Sequence, residues 1–277
     1  MPVEGRPSRT AYRVAVRRAH HQLADRPLVL DDPIVLRLVD GSEAPDDSRA
    51  GRLLRAFIVA RSRLAEDVVA EAVRNGVRQY VVLGAGLDTF AYRNPWPELR
   101  VFEVDFPATQ AWKRTRLRVA EVPEPPTVTF APVDFERQTL ADGLARSEFN
   151  ATRPSVFSWL GVVPYLTRDA VHETFAFVGL LPPPTAIVFD YAPSPSTMMP
   201  AARAAFEALA ARVAAAGEPF RSTFDPQDLA RELRGAGFSA IDDWGADQIN
   251  AQYFAHRSDG LQVGGAGRLV RAVVAFD

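Results

Sequence analysis

Gln79-Tyr80-Val81-Val82-Leu83-Gly84-Ala85-Gly86-Leu87-Asp88-Thr89 is the stretch on which the reading of this 277-residue chain turns. A short β-branched and aromatic run ends abruptly in two glycines, which reads as a buried strand followed by a tight turn. Six further runs of the same character follow or close the chain: Arg100–Asp105, Thr127–Val133, Ser155–Trp159, Ala186–Tyr191, Phe238–Asp242 and Arg268–Phe276. Most are separated by segments of helical spacing, including Pro226–Arg234, and strands alternating with helices mean βαβ units with right-handed crossovers. The expectation is an α/β fold with a seven-stranded, mostly parallel sheet.

Before Gln79 the period is helical. Ser8 is a candidate N-cap for a helix to about Leu23, with Ala11, Val14, Ala15, Ala19 and Leu23 on one face. Asp32-Pro33 starts a short helix to about Val39. From Ala50 to Asn75 the positions Leu53, Leu54, Phe57, Ile58, Leu64, Val68, Val69 and Val73 trace one stripe, and Asn75-Gly76 stops it. No composition shift divides the chain, so residues 1–277 are expected to form a single domain, with 1–75 a helical cover and 76–277 the α/β core.

Composition narrows the function classes. The chain has no Cys, which excludes thiolate metal sites and a cysteine nucleophile. Its 32 basic and 34 acidic residues balance, so a polyanion such as nucleic acid is not the expected partner. No run approaches the roughly 20 apolar residues that span a bilayer, and the basic N-terminus does not read as a secretory signal. A cytoplasmic protein without a membrane role is the expectation. Asp31, Asp32, Asp46 and Asp47 read as caps and solvated loop charges, and no metal set is apparent.

In an open parallel sheet, ligands bind beyond the carboxyl ends of the strands. Gly84 and Gly86 let the backbone approach a ligand there, although a bare GxG is equally a turn that uses glycine for geometry alone. The third glycine of the dinucleotide pattern is absent, because Thr89 stands in its place. Asp105 lies 19 residues beyond Gly86 (105 − 86), near the offset at which an acidic residue accepts two ribose hydroxyls. It shares one face of its strand with Glu103, and its alternative reading is a solvated strand end. Asp134 could accept from an adenine amino group with Phe135 as an apolar wall, or could simply cap the next helix.

VVLGAGLDTFAYR, VFEVDFPATQAWKR, PVDFE and SWLGVVPYLT, with SRTAYRVAVRRA and DDP upstream, resemble the leucine carboxyl methyltransferase family, and in particular its bacterial branch of S-adenosylmethionine (SAM) dependent O-methyltransferases. The match covers roughly residues 8 to 191. It implies a Rossmann-like class I methyltransferase fold and SAM as cofactor. By motif it places Gly84 against the methionine part of SAM, Asp105 at the ribose, and Asp134 with Phe135 at the adenine, with Gly86 also among the cofactor-binding residues. Arg61, in FIVARSR, matches the arginine that binds the SAM carboxylate, and Tyr165, in VVPYL, matches a tyrosine near the reacting methyl group and is the candidate catalytic residue. One departure stands out: where the family carries a Glu that holds the SAM amino group, this chain has Leu160. Arg18 lies near the family's N-terminal basic residue, with a different spacing to Asp32.

Methyl transfer from a sulfonium needs alignment and a dry pocket more than covalent machinery. A carboxylate acceptor requires no base, whereas a hydroxyl does. His20 and His21 could face the pocket, His172 reads as a surface group on the helix after YLTRD, and His256 falls in a C-terminal stretch. Phe157, Trp159, Tyr165, Tyr191, Met198 and Met199 are candidate acceptor-pocket residues or, alternatively, core. The expected activity is methyl transfer from SAM to an oxygen of a small molecule, with carboxylate preferred to hydroxyl and a homodimer left open. The competing readings are a SAM-binding protein without catalysis and a nucleotide-dependent oxidoreductase.

Overall fold

The computed structural model describes residues 9–44, 46–134, 138–215 and 217–276. Seven strands form one sheet: β1 (Gln79–Leu83), β2 (Arg100–Asp105), β3 (Val128–Pro132), β4 (Val156–Trp159), β5 (Ala186–Tyr191), β6 (Ala240–Trp244) and β7 (Arg268–Val273). Their spatial order is β3-β2-β1-β4-β5-β7-β6. β1 pairs parallel with β2 and β4, β2 with β3, and β4 with β5, while β7 runs antiparallel between β5 and β6. The chain builds outward from β1 to β3 and then returns to β4 on the other side. That reversal opens a crevice beyond the carboxyl ends of β1 and β4, where an open sheet binds its ligands.

Alternation along the buried strands divides the core between two faces. Tyr80, Val82, Val101, Val156 and Val188 pack on one side against Ala56, Val59, Ala60, Val68 and Val69 of α3 (Arg49–Arg74). Val81, Leu83, Phe102, Phe157, Trp159 and Phe189 pack on the other, against Val171 and Phe175 of α6 (Arg168–Gly179) and Leu229 and Leu233 of α8 (Pro226–Gly235). The helix expected from Ala50 forms a layer of the core on the first of these faces and also borders the crevice through Arg61 and Ser62. It starts at a Ser48 cap, whose hydroxyl accepts from the Gly51 N–H, and it ends at Asn75 with Gly76 at φ +89°. α1 (Arg9–Ala24) lies over the crevice; its expected cap, Ser8, falls outside the described residues.

Several boundaries move. The short helix expected from Asp32 is α2 (Val35–Leu38), because the Asp32 carboxylate is wholly buried in a side-chain network instead of capping. The strand expected at Phe238–Asp242 runs Ala240–Trp244, with Phe238 in the core beside α8. α4 (Pro107–Val119), α5 (Leu140–Ala145), α7 (Pro200–Ala215) and α9 (Ala246–Tyr253) complete the helices used below.

Glu103 of β2 and Lys113 of α4 are both buried, with Nζ 2.7 Å from Oε2. The two form a buried ion pair. Burial lifts the Glu103 pKa from its ordinary 4.5 to about 7, against the pull of Lys113. A carboxyl raised on folding favours the native state below its unfolded pKa and loses that contribution as pH rises through the folded one. Denaturant titrations should therefore show native stability declining between about pH 4.5 and 7, and Glu103→Gln should flatten that slope even if it lowers stability overall. An unchanged slope in the variant would show that another group sets it.

Candidate functional site

The turn after β1 is held by three amide hydrogen bonds to the end of β2. Gly84 N–H and Ala85 N–H both donate to the Val104 carbonyl, at 2.8 and 3.1 Å, and Gly86 N–H donates to Asp105 Oδ2 at 2.6 Å. Gly84 and Gly86 adopt φ +66° and +47°, the left-handed region in which a side chain is strained. A Cβ on Gly84 would meet Val162 Cγ2 at 2.3 Å, and one on Gly86 would meet Ala11 Cβ of α1 at 3.0 Å. A Gly84→Val exchange would therefore disturb the turn as well as any ligand.

Asp105 closes β2 and takes a second amide, from Phe106 at 2.7 Å on Oδ1. Burial raises its pKa above the ordinary carboxylate value, and the two amides oppose that rise. Behind the turn, the buried Arg18 guanidinium of α1 donates to Asp32, to Thr89 Oγ1 at 2.6 Å and to the Leu87 carbonyl at 3.4 Å, and it lies 3.7 Å from Asp88. Thr89 in turn donates to Asp32 Oδ1 at 2.6 Å. The upstream RRA and DDP segments and the LDT segment thus form one buried network that ties α1 to the glycine turn.

On the β4 side, Arg61 of α3 donates from Nη1 to Asp190 Oδ2 at 3.1 Å, and the Gly161 N–H donates to Asp190 Oδ1 at 2.6 Å. Asp190, near the end of β5, is 4% exposed, so this pair fixes the guanidinium from behind. The following helical turn, Val163–Tyr165, brings Tyr165 edge-on to Phe220, with ring centroids 5.2 Å apart. Burial and the charge of Glu218 push the Tyr165 phenol up to about 12. Thr10 of α1 donates its hydroxyl to Glu218.

These elements enclose a cavity of ≈ 190 Å³. Arg61, Gly84, Gly86, Asp105 and Tyr165 all line it, together with Leu160 and Val162. Asp134 does not line it but follows Val133, which does. Phe135 lies outside the described residues. Arg18, Thr10, Asp88 and Glu218 are lining residues that the motifs did not single out as ligand contacts.

Of the expected acceptor aromatics, only Tyr165 reaches the cavity. Phe157 and Trp159 are core, and Tyr191 is buried with its hydroxyl donating to Asp243 at 2.7 Å. Met198 packs with Phe206, and Met199 is exposed. None of the four histidines lines the cavity. His21 is fully buried, with Nδ1 on Asp25 at 2.9 Å and Nε2 accepting from the Val29 N–H at 3.0 Å. His20 sits 3.0 Å from Arg55, and its pKa is lowered by burial and by that charge. His172 meets Glu232 across α6 and α8 at 3.0 Å, and His256 follows α9 at φ +61°. Among the described residues no cluster of His, Asp and Glu could hold a metal, and no helix is long and apolar enough to cross a membrane.

Comparison with known proteins agrees with this architecture. The model of the family described as leucine carboxyl methyltransferase matches residues 11–179. The Bacillus subtilis (strain 168) protein named "Putative S-adenosyl-L-methionine-dependent methyltransferase YktD" is 34% identical over 281 residues, spanning 89% of this chain and 91% of its own. Among solved structures, a DUF574 family protein from Streptomyces avermitilis MA-4680 superposes with a TM-score of 0.61 at 17% identity, over 96% of this chain and 97% of that one. Magnesium protoporphyrin IX methyltransferase from Synechocystis PCC 6803, with bound S-adenosylhomocysteine, gives 0.50 at 12% identity, over 94% and 99%. At those identities the two structures speak for the fold alone.

Proposed function

The chain belongs to the leucine carboxyl methyltransferase family and is a SAM-dependent methyltransferase of Rossmann-like fold, and from that premise we propose that it transfers the methyl group to a carboxylate oxygen of a small molecule. The residues of the cavity fit the cofactor. Two glycines at left-handed φ keep the backbone bare at the turn, a carboxylate held by two amides closes β2, and an arginine is fixed in place by Asp190. In this reading Gly84 and Gly86 lie along the methionine part, Asp105 accepts from the ribose hydroxyls, and Asp134 with Phe135 meets the adenine. Arg61 takes the carboxylate through the N–H groups that Asp190 does not use. When bound, the cofactor supplies an electrophilic methyl group on a sulfonium.

What remains for the chain is to orient the two reactants and keep water out, which is the larger part of such a displacement. Apolar walls from Val14, Val82, Leu87, Val133 and Val162 serve the second task. Tyr165 stands where the acceptor would be oriented, and with a phenol pushed up to about 12 it keeps its proton at neutral pH and acts as a donor. The observation that carries the carboxylate reading is that no histidine lines the cavity. A hydroxyl acceptor would call for a base poised near neutral pH, whereas a carboxylate is already ionised.

The test uses methyl-labelled SAM with a panel of carboxylic acids, phenols and alcohols. The expected product is a base-labile methyl ester, with turnover at saturation varying less than about twofold from pH 6.5 to 8.5. Label found only in base-stable ethers, with a rate rising about tenfold per pH unit below an apparent pKa, would overturn the carboxylate assignment.

A further inference from the structure

Gly161 is the second residue after β4, at φ +72°, and it borders the cavity. Other glycines of this chain adopt positive φ for the turn alone: a Cβ on Gly41, Gly76, Gly217 or Gly260 would meet nothing within 4 Å. At Gly161 the space of a Cβ is already taken by the Arg61 guanidinium, with Nη2 at 2.6 Å, Nη1 at 2.9 Å and Cζ at 3.0 Å. The residue type therefore answers to a side chain from α3 as well as to its own backbone.

Asp190 closes the arrangement. One of its oxygens accepts from the Gly161 N–H at 2.6 Å and the other from Arg61 Nη1 at 3.1 Å. The residue whose missing side chain makes the room is thus tied to the carboxylate that holds the guanidinium in it. Its neighbours pin the same loop: Leu160 packs on the core that α3 shares, and Val162 Cγ2 stands 2.3 Å from where a Cβ on Gly84 would lie. Arg61 lines the cavity and is 7% exposed, so a long side chain with many rotamers is confined to one place beside the ligand space. The nearest atoms to a Cβ at position 161 all belong to the far end of that side chain. The fold can absorb such a Cβ by displacing the guanidinium, but a fork of donors recognises a carboxylate only from the right position.

We propose that Gly161 is a positioning residue for the cofactor: its bare Cα is the seat on which Asp190 holds the Arg61 guanidinium for the SAM carboxylate. The inference rests on the assignment of Arg61 to that carboxylate. It also ties the loop that carries Tyr165 to the arginine of α3, through one glycine amide and one shared acid.

The test is calorimetry with two probes on the intact chain: S-adenosylhomocysteine, which keeps the amino acid end, and 5′-methylthioadenosine, which lacks it. Gly161→Ala should weaken S-adenosylhomocysteine about tenfold and leave 5′-methylthioadenosine within about twofold of wild type. Gly161→Asn carries the same Cβ on a residue that tolerates the left-handed backbone, and it should show the same split free of backbone strain. Once Arg61→Ala has removed the guanidinium, adding Gly161→Ala should cost less than about twofold more, which a side chain that merely crowded the ligand or strained the loop would not reproduce. Unchanged S-adenosylhomocysteine affinity in Arg61→Ala would overturn the Arg61 assignment and this proposal with it. A loss in Arg61→Ala combined with unchanged affinity in both Gly161 variants, a parallel loss of both probes, or an equal cost of Gly161→Ala with and without Arg61 would overturn the proposal alone.

Discussion

Asp105→Ala should lower the affinity for S-adenosylhomocysteine by about 1–3 kcal/mol, roughly 5- to 150-fold, because two ribose hydroxyls would lose a charged acceptor. The structure adds a second source of loss. The same carboxylate joins Gly86 N–H to Phe106 N–H, so its removal leaves two amides without their acceptor and loosens the glycine turn from the end of β2. Asp105→Asn keeps one carbonyl oxygen and should fall between the two. The binding loss should extend to 5′-methylthioadenosine, which carries the ribose but lacks the amino acid end, and this separates the role of Asp105 from that of Arg61. Unchanged affinity for both probes in Asp105→Ala would remove the ribose assignment.

The candidate site was most legible in the sequence where local backbone geometry dictates the residue type. A turn that must bring the backbone close to a ligand spends its glycines in one place, and Gly84 and Gly86 both line the cavity at positive φ. A strand end that carries an acidic group at a fixed offset is equally local, and Asp105 stands there. Short β-branched and aromatic runs located β1, β2, β4 and β5 to within a residue, because buried parallel strands are apolar on both faces and read as near-continuous runs. That same property blurred which aromatic residues line the cavity. Phe157, Trp159 and Tyr191 are aromatic residues close to strand ends, which is what a pocket wall looks like in sequence, yet each faces the core layer under α6 and α8. An apolar run alone does not say how near a residue stands to the crevice.

Glu218 and Thr10 were not legible, for a different reason. Their contact joins the first described turn of α1 to a segment about 200 residues away, and nothing in the spacing of either segment announces the other. The upstream RRA and DDP segments were legible as a pattern but not as physics. Arg18, Asp32 and Thr89 are buried partners, so the pattern records the way α1 is fastened over the glycine turn.

In the proposed reading Arg61 bears on binding and Tyr165 on chemistry, and variants separate the two once the buried partner of Arg61 is taken into account. Arg61→Ala removes the guanidinium that faces Asp190, a carboxylate 4% exposed, and breaking a buried pair from one side costs about 3–5 kcal/mol. Because Arg61 also borders the cavity, and Gly161 N–H still donates to Asp190, the low end of that range is expected, read as a lower denaturation midpoint. The Arg61→Ala, Asp190→Asn double variant should recover much of that stability, since no uncompensated charge is then left inside. It should not recover binding of S-adenosylhomocysteine, whose carboxylate would still lack its bidentate donor. Tyr165→Phe should behave in the opposite way, with cofactor affinity near wild type and turnover lowered, since an interaction made mainly in the transition state appears in the rate. If the double variant regains both stability and cofactor affinity, Arg61 is a structural partner of β5 and not a cofactor ligand. If Tyr165→Phe loses affinity as badly as Arg61→Ala while saturated turnover stays normal, the Val163–Tyr165 turn is only the connection from β4 to α6.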